Sequence, residues 1–329
     1  MPFADGGDDT LNCLAKALDG KFINVQAQGP TGSSVKAQYL SLSGAKAVVE
    51  LASASGIAHL NISQLDPLGA HTRGFGEVIY TAIKDGARHI TLTLGGSAST
   101  DGGSGALYSL GARLLDDAGN DIAPGGIGLT NLRHVDFTNL YKNIKGVQFF
   151  IASDVTNPLL GAQGAAHIFA PQKGADAAQV ELLDGALSHF ADIIEAAMAR
   201  SLRLEPGAGS AGGAGFGLSA VLNAPILSGF EWLADLLNLP ERIQKCDAVI
   251  VSEGRIDRQS LGGKAVGRLI QLAREMGKKV YALPALVEPG LSAADLGLDG
   301  LAATAVPGQL ADLASVKQTT FELLPQTQD

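Results

Sequence analysis

The feature that most constrains the fold is a repeated order of apolar segment, glycine-rich or acidic loop, and helical segment. The segments His89–Leu94, Val147–Ser153 and Cys246–Ser252 are typical of buried strands, and each ends in a loop of glycines or carboxylates. Strands that alternate with helices predict a largely parallel sheet, in which ligands bind at the carboxyl ends of the strands. The sequence therefore predicts an α/β fold with functional groups in these loops.

An earlier region has a different pattern. Phe22–Ala27, Val35–Leu42 and Ala47–Leu51 have the composition of strands and are separated by short turns that contain glycine. This arrangement predicts an antiparallel meander. A chain of 329 residues that combines a meander with parallel strands is long enough for two domains.

Charge and composition exclude several classes of protein. The chain has 24 basic and 33 acidic residues, a net charge of −9 and no block of basic residues, so we expect neither a nucleic-acid nor a membrane partner. No run of 18 apolar residues and no signal peptide occur, which predicts a cytoplasmic protein. Two isolated cysteines, Cys13 and Cys246, form neither a disulfide framework nor a zinc motif.

The loop 95–103 follows a predicted strand and precedes a helix. It reads Gly-Gly-Ser-Ala-Ser-Thr-Asp-Gly-Gly. Glycines allow backbone N–H groups to approach a phosphate closely, and a helix N-terminus adds a positive dipole end. The loop therefore predicts an anion site, and the alternative is a tight strand-to-helix turn.

The loop that begins at Glu253 has the highest density of charged groups. Its basic side chains can bind a phosphate or a carboxylate. Its carboxylates can bind Mg²⁺ or accept a proton from a hydroxyl group. The alternative is a solvated loop with surface ion pairs. The polar residues of this loop are Glu253, Arg255, Asp257, Arg258, Gln259 and Lys264.

A third loop contains the pattern G-x-G-x-x-G at Gly207, Gly209 and Gly212. This pattern indicates a dinucleotide site only when it follows a buried strand. The preceding segment Ser201–Glu205 is short and polar, which argues against that interpretation. Neither a Walker A sequence nor a Gly-x-Ser-x-Gly elbow occurs in the chain.

Six segments, in the same order, resemble motifs of one family, the type I glycerate kinases. The loop 95–103 matches the family's Gly-Gly-Ser-Ala-Thr-(Asn/Thr)-Asp-Gly-Gly almost letter for letter. The resemblance extends along nearly the whole chain, and six ordered motifs are far more specific than any one of them. The segments are residues 4–10, 95–103, 154–159, 171–175, 207–213 and 253–260.

The resemblance implies ATP-dependent phosphorylation of D-glycerate, with 2-phosphoglycerate as the expected product and Mg²⁺ as a cofactor. It also implies two α/β domains. A three-layer parallel-sheet domain of the Rossmann or flavodoxin-like type would comprise residues 1–19 and 216–329, and a mixed-sheet α/β domain of residues 20–215 would be inserted into it. A monomer or homodimer with one small-molecule substrate is expected.

The same motifs suggest roles for individual residues. Phosphate cradling is assigned to Gly95, Gly96, Ser97 and Ser99. Arg73, Arg255 and Lys264 are expected to hold the glycerate carboxylate or the phosphates, with Lys264 also a catalytic candidate. The catalytic carboxylates would be Asp101, Asp154 and Asp257, of which Asp101 and Asp154 are the candidate Mg²⁺ ligands. Further candidates for substrate or phosphate binding are Asp5, Gly6, Gly7, Asn157, Lys173, Glu253 and Gln259.

The chain also departs from the family pattern. The family begins earlier, with a strand that ends in Asp-Ser-Phe-Lys and a helix, so we expect an N-terminally truncated or divergent member. Phe75 stands where the family has a threonine between two glycines. A catalytically impaired, ligand-binding remnant is therefore the alternative function. An NAD-dependent oxidoreductase, supported only by the third loop, is a weaker one.

Overall fold

The computed structural model describes residues 10–261, 265–306 and 312–323. The chain divides into two compact units between Trp232 and Leu233. The expected α/β fold class is confirmed, because helices alternate with several sheets, some of them parallel.

The first unit contains the glycine-rich loop 95–103. Its helices are α1 (Thr10–Ala17), α2 (Ala52–Ser55), α3 (Arg73–Lys84), α4 (Ser104–Ser109), α5 (Thr138–Asn143), α6 (Ala165–Phe169), α7 (Ala177–Met198) and α8 (Ser210–Leu222). Its strands are β1 (Lys21–Gln28), β2 (Ser34–Leu42), β3 (Lys46–Glu50), β4 (His89–Thr93), β5 (Arg113–Leu115), β6 (His134–Asp136), β7 (Gln148–Ala152) and β8 (Ile226–Leu227).

The main sheet of this unit has the strand order β1-β2-β3-β4-β7-β8. Strands β1, β2 and β3 pair antiparallel, which confirms the predicted meander, and β3, β4, β7 and β8 pair parallel. In the parallel register Glu50 lies beside Thr93, and Thr93 beside Ala152. The loops that follow these three residues therefore leave the sheet at the same edge.

The parallel strands are apolar because both of their faces are covered. After an exposed first residue, β3 and β4 are buried throughout. Helix α3 packs on β1, β2 and β3, and α8 packs on β7. Helix α3 begins at Arg73.

Phe75 lies in α3 and is fully buried in the hydrophobic core. Its ring packs among apolar side chains, and its backbone N–H donates to the Ser55 hydroxyl at 3.2 Å. The departure at this position is therefore accommodated by core packing.

Helix α7 begins with a reciprocal cap. The Asp176 carboxylate accepts a bond from the Gln179 N–H, and the Gln179 side chain accepts one from the Asp176 N–H. The helix buries Leu183, Leu187 and Phe190, and the Phe190 ring meets the edge of Phe216 from α8. Helices α7 and α8 thus form one packed layer beside the loop 95–103.

The second unit is smaller. Its helices are α9 (Gly229–Leu236), which begins at the end of the first unit, α10 (Leu239–Gln244), α11 (Ala265–Glu275) and α12 (Leu313–Leu323). Its strands are β9 (Ala248–Val251), β10 (Arg255–Ile256), β11 (Lys279–Ala282), β12 (Leu286–Val287) and β13 (Gly300–Leu301). A parallel sheet has the order β13-β11-β9, and α11 packs on β9 and β11.

The division at Trp232 differs from the boundary expected after residue 215. Helix α8 packs on α7 and β7, and β8 pairs with β7, so residues 216–227 fold with the first unit. Helix α1 contacts β2 and β3. The assignment of residues 1–19 to the C-terminal domain, and hence the inserted-domain arrangement, stays a prediction.

Candidate functional site

A cavity of about 340 Å³ opens at the carboxyl edge of the parallel strands in the first unit. The loop after β4 and the loop after β7 both reach it, as expected for a parallel sheet. Because glycines have no side chain, it is the backbone of Gly95, Gly96 and Gly212 that lines the cavity. The other lining residues are Ile57, Leu94, Ser97, Val155, Phe169, Gln172, Lys173 and Ala211.

Lys173 is a charged residue that lines this cavity. It ends a short 3-10 turn, Pro171–Lys173, and its side chain is 1% exposed. The ammonium donates to the Ser97 hydroxyl at 2.9 Å and to the Ser99 carbonyl. Burial lowers the pKa of Lys173 to about 7, and the nearby Asp101 carboxylate opposes that shift. An anionic ligand would stabilise the charged form of a lysine that is buried in this way.

Asp101 lies behind the cavity and is fully buried. One carboxylate oxygen accepts bonds from the Thr72 N–H, the Thr72 hydroxyl and the Gly105 N–H at 2.8, 2.8 and 3.2 Å. The other accepts from the Ser99 hydroxyl and the Gly103 N–H. Asp101 therefore joins the loop 95–103 to the starts of α3 and α4. Its oxygens are occupied by protein donors, and it does not line the cavity.

The third glycine-rich loop packs directly against the loop 95–103. A Cβ on Gly212 would lie 2.2 Å from the Ser99 carbonyl oxygen, and one on Gly217 would lie 2.0 Å from that of Gly102. Gly212 also has a left-handed backbone, with φ of +65°. These glycines allow the two loops to touch through their backbones.

No dinucleotide fingerprint forms at Gly207–Gly212. Residues 201–206 are turn and irregular structure, so the strand that the fingerprint requires does not precede Gly207. Helix α8 instead contains three successive left-handed residues, 211–213. The structural context expected for an NAD-binding site is thus missing from this segment.

Asp154 and Asn157 follow β7. Asp154 is half-buried, and its two oxygens accept bonds from the Ser228 hydroxyl at 3.0 Å and the Phe230 N–H at 3.1 Å, in the first turn of α9. The Asn157 amide donates to the Gln163 carbonyl at 2.8 Å. Both side chains stabilise the loop whose Val155 lines the cavity.

Arg73 is placed at the start of α3 and is not among the lining residues. Its guanidinium lies over the Tyr108 ring, with the central carbon 4.4 Å from the ring centre. His71, two residues before Arg73, is buried, and burial lowers its pKa, which favours the neutral ring.

Sequence reasoning missed two polar residues of this region. Thr72 donates to Asp101, and its hydroxyl accepts a bond from the Ala106 N–H at 2.9 Å. Glu50, at the end of β3, is buried and accepts a bond from the Thr10 N–H at the start of α1. Neither belongs to a local motif, because their partners are 29 to 40 positions away in the chain.

The loop from Glu253 lies in the second unit. Glu253 is half-buried, Arg255 is an exposed residue of β10, and Asp257 accepts bonds from the Ser260 N–H and hydroxyl at 3.0 and 3.4 Å. Asp257 thereby caps the 3-10 turn Arg258–Leu261, which contains the backbone of Gln259. The candidates Asp5, Gly6, Gly7 and Lys264 lie outside the described residues.

Within the described ranges, no three His, Cys, Asp or Glu side chains are grouped as metal ligands. Mg²⁺ typically binds one or two carboxylates together with substrate phosphates, so a single carboxylate such as Asp154 is compatible with it. No helix in the described part of the chain is long and apolar enough to cross a membrane.

A glycine-lined cavity with a buried lysine, at the carboxyl ends of parallel strands, is typical of α/β proteins that bind small anionic ligands. Comparison with known proteins gives the family. The model of the glycerate kinase family matches residues 1–328, so this chain belongs to the glycerate kinase family, whose members are kinases. The family expected from the sequence motifs is confirmed.

Individual relatives agree with this assignment. The glycerate 2-kinase of Escherichia coli (strain K12) is 41% identical over 284 residues, which cover 86% of this chain and 74% of the relative. A glycerate kinase of Halalkalibacterium halodurans is 38% identical over 329 residues, or 99% of this chain and 86% of the relative. A crystal structure from Salmonella typhimurium LT2, provisionally described as glycerate kinase 2, has a TM-score of 0.84 and 36% identity, and the match covers 97% of this chain and 84% of that one.

Proposed function

We infer that this chain is a kinase that transfers the terminal phosphoryl group of ATP to D-glycerate, with 2-phosphoglycerate as the product. The observation that carries this proposal is the buried Lys173 beside the Gly95–Ser97 backbone, in a chain of the glycerate kinase family. A small hydroxy acid and a phosphoryl group are both anionic, and both are suited to such a site.

Phosphoryl transfer requires positioning and charge neutralisation more than covalent chemistry. In the first unit, the Gly95 and Gly96 backbone, the Ser97 hydroxyl and the Lys173 ammonium would bind and orient anionic groups. Ser99 and Asp101 would maintain the shape of this loop, because the Asp101 carboxylate accepts a hydrogen bond from the Ser99 hydroxyl. The apolar lining would exclude water from the bound groups.

Mg²⁺ would neutralise the phosphates of the nucleotide. Asp154 is the ligand we propose for it, because its half-buried carboxylate follows β7 at the same edge of the sheet as the cavity. Asp101 is given a supporting role instead, since five protein donors surround its oxygens. In the second unit, Glu253, Arg255, Asp257 and Gln259 remain proposed groups for substrate or phosphate, as do Arg73 and Asn157 in the first.

The activity is tested by measuring ADP formation from ATP and D-glycerate with and without Mg²⁺. Phosphorus and carbon NMR of the product would show whether the phosphate is on the 2- or the 3-hydroxyl. We expect Mg²⁺-dependent turnover with D-glycerate and none with glycerol. Absence of ADP formation together with D-glycerate binding would favour the ligand-binding remnant, and glycerate-dependent reduction of NAD would favour the oxidoreductase.

The role of Asp154 needs a variant that separates metal binding from helix capping. Asp154→Asn should raise the Mg²⁺ concentration required for half-maximal rate, because an amide is a weaker ligand for Mg²⁺ than a carboxylate. Ser228→Ala removes a capping partner of the same carboxylate and leaves its charge in place. If both variants need the same Mg²⁺ concentration as the wild type, Asp154 is only a structural residue.

A further inference from the structure

We propose that the cavity at Lys173 binds the carboxylate of the acid substrate, with the Lys173 ammonium as its counter-ion. This inference rests on the proposed glycerate kinase activity and assigns one part of the substrate to one place in the fold. The sequence motifs assign phosphate binding to the loop 95–103. We place the substrate carboxylate beside this loop instead.

The charge of the cavity matches one carboxylate. Among the described residues that line it, Lys173 is the only one with an ionisable side chain. A carboxylate carries one negative charge, whereas a phosphoryl group carries about two near neutral pH and the phosphates of ATP require several cations. A single buried ammonium therefore balances the acid substrate better than it balances a nucleotide.

The donors are arranged for two neighbouring oxygens. Lys173 Nζ uses two of its three N–H donors on Ser97 and Ser99, which leaves one for a ligand. The Ser97 hydroxyl accepts the bond from Lys173, so its own proton is free to donate. An ammonium and a hydroxyl that lie 2.9 Å apart present two donors side by side, which suits the two oxygens of a carboxylate.

The apolar walls of the cavity favour an ion pair at the Lys173 ammonium. Ile57, Leu94, Val155, Phe169 and Ala211 place apolar surface around the ammonium. In such surroundings an ion pair is stronger than in water, and an unpaired ammonium is costly.

The lowered pKa of Lys173 is consistent with a site that takes a negatively charged ligand. Its pKa stays lowered to about 7 despite the opposing effect of Asp101, so the protein's own charges only partly compensate the burial of the ammonium. The charge of Asp101 is itself stabilised by five protein donors. A ligand carboxylate would add a second counter-charge and favour the protonated lysine.

The experiment compares Lys173→Met with the wild type by isothermal titration calorimetry. D-glycerate, glycolate, glycerol and MgATP are titrated separately. D-glycerate is then titrated again in the presence of a non-hydrolysable ATP analogue. The matched control is Lys142→Met, which removes an exposed lysine from α5. We expect Lys173→Met to weaken D-glycerate and glycolate by about 10- to 100-fold, as for loss of a charged hydrogen bond, and to leave MgATP affinity unchanged. The control should bind all ligands as the wild type does.

Three results would overturn the proposal. They are unchanged D-glycerate affinity in Lys173→Met, loss of MgATP affinity in place of glycerate affinity, and no D-glycerate binding to the wild type with or without the nucleotide analogue. Calorimetry measures binding without turnover. It therefore tests the carboxylate site independently of the kinase activity. Lys173-dependent binding of D-glycerate with no ADP formation would retain the carboxylate site and refute the kinase activity.

Discussion

The Lys173 ammonium and the Ser97 hydroxyl lie 2.9 Å apart, although 76 positions separate them in the chain. Ser97 follows β4, and Lys173 ends the turn that precedes α7. Their hydrogen bond fixes a buried positive charge against the backbone of the glycine-rich loop. That charge therefore lies at the carboxyl edge of the sheet, where the cavity opens.

Ser97→Ala tests the contribution of the hydroxyl. The variant removes one of the two acceptors of the Lys173 ammonium and one proposed ligand donor. We expect kcat/KM for D-glycerate to fall by about 5- to 20-fold, consistent with the loss of about one hydrogen bond to a charged group. Steady-state kinetics would measure this, and Ser97→Thr should recover part of the loss. An Ala variant with wild-type kcat/KM would remove Ser97 from the binding site.

The pH dependence of glycerate binding follows from the lowered pKa of Lys173. The carboxylate of the acid substrate is fully ionised above about pH 5. Of the substrate carboxylate and Lys173, only Lys173 therefore changes charge between about pH 6 and 9. Its pKa of about 7 means that the ammonium predominates below pH 7 and is lost as the pH rises. The KM for D-glycerate should therefore increase above pH 7.

The control for this pH dependence is Lys173→Met. Its KM for D-glycerate should be higher at pH 6 than that of the wild type and should change little up to pH 9. A wild-type KM that is constant from pH 6 to 9 would contradict the assignment of Lys173 as the counter-ion.

Asp101→Asn tests whether Asp101 positions the loop or reacts directly. The amide oxygen cannot satisfy the five donors that face the carboxylate, so we expect the free energy of unfolding to fall by about 2–4 kcal/mol. Because Asp101 raises the pKa of Lys173, its neutralisation should shift the pH dependence of glycerate binding to lower pH.

Asp117→Asn is the matched control for that experiment. Asp117 is 82% exposed and forms one surface ion pair with Arg133, so its loss should change stability by less than about 1 kcal/mol. Chemical denaturation measures both variants. Unchanged stability of Asp101→Asn with a lost response to Mg²⁺ would instead support a direct metal ligand.

Gly212→Ala tests the contact between the two glycine-rich loops. The new Cβ would lie 2.2 Å from the Ser99 carbonyl oxygen, at a backbone φ of +65°. We expect destabilisation by at least about 3 kcal/mol, from backbone strain and overlap, together with weaker glycerate binding. Thermal and chemical denaturation measure the effect.

Gly185→Ala provides the opposite case. Gly185 lies in α7, and the added Cβ would have open space beyond the backbone of its own helix. This variant should stabilise the protein by about 0.5–1 kcal/mol, because alanine restricts the unfolded chain and favours the helix. Equal effects of the two substitutions would show that the loops do not need the close approach at Gly212.

Local pattern was sufficient for most elements of the fold. Strands β4 and β7 were predictable because they are short apolar segments that end at glycines or a carboxylate, and the meander was predictable from strands joined by tight turns. Local pattern was less informative where glycines lie inside a helix. Helix α3 contains Gly74 and Gly76, which pack closely against Gln28 and Ala106, although glycine disfavours a helix.

The sequence by itself determined the α/β class, the glycine-rich loops and the family, because these depend on residues that are close together in the chain. Only the tertiary structure showed that Lys173 meets Ser97, that Asp101 is enclosed by five donors and that Phe75 belongs to the core. These relationships depend on which strands pair and on how closely glycine backbones pack. Both are set by burial of the whole chain, and no local pattern encodes which distant side chain will share a buried site.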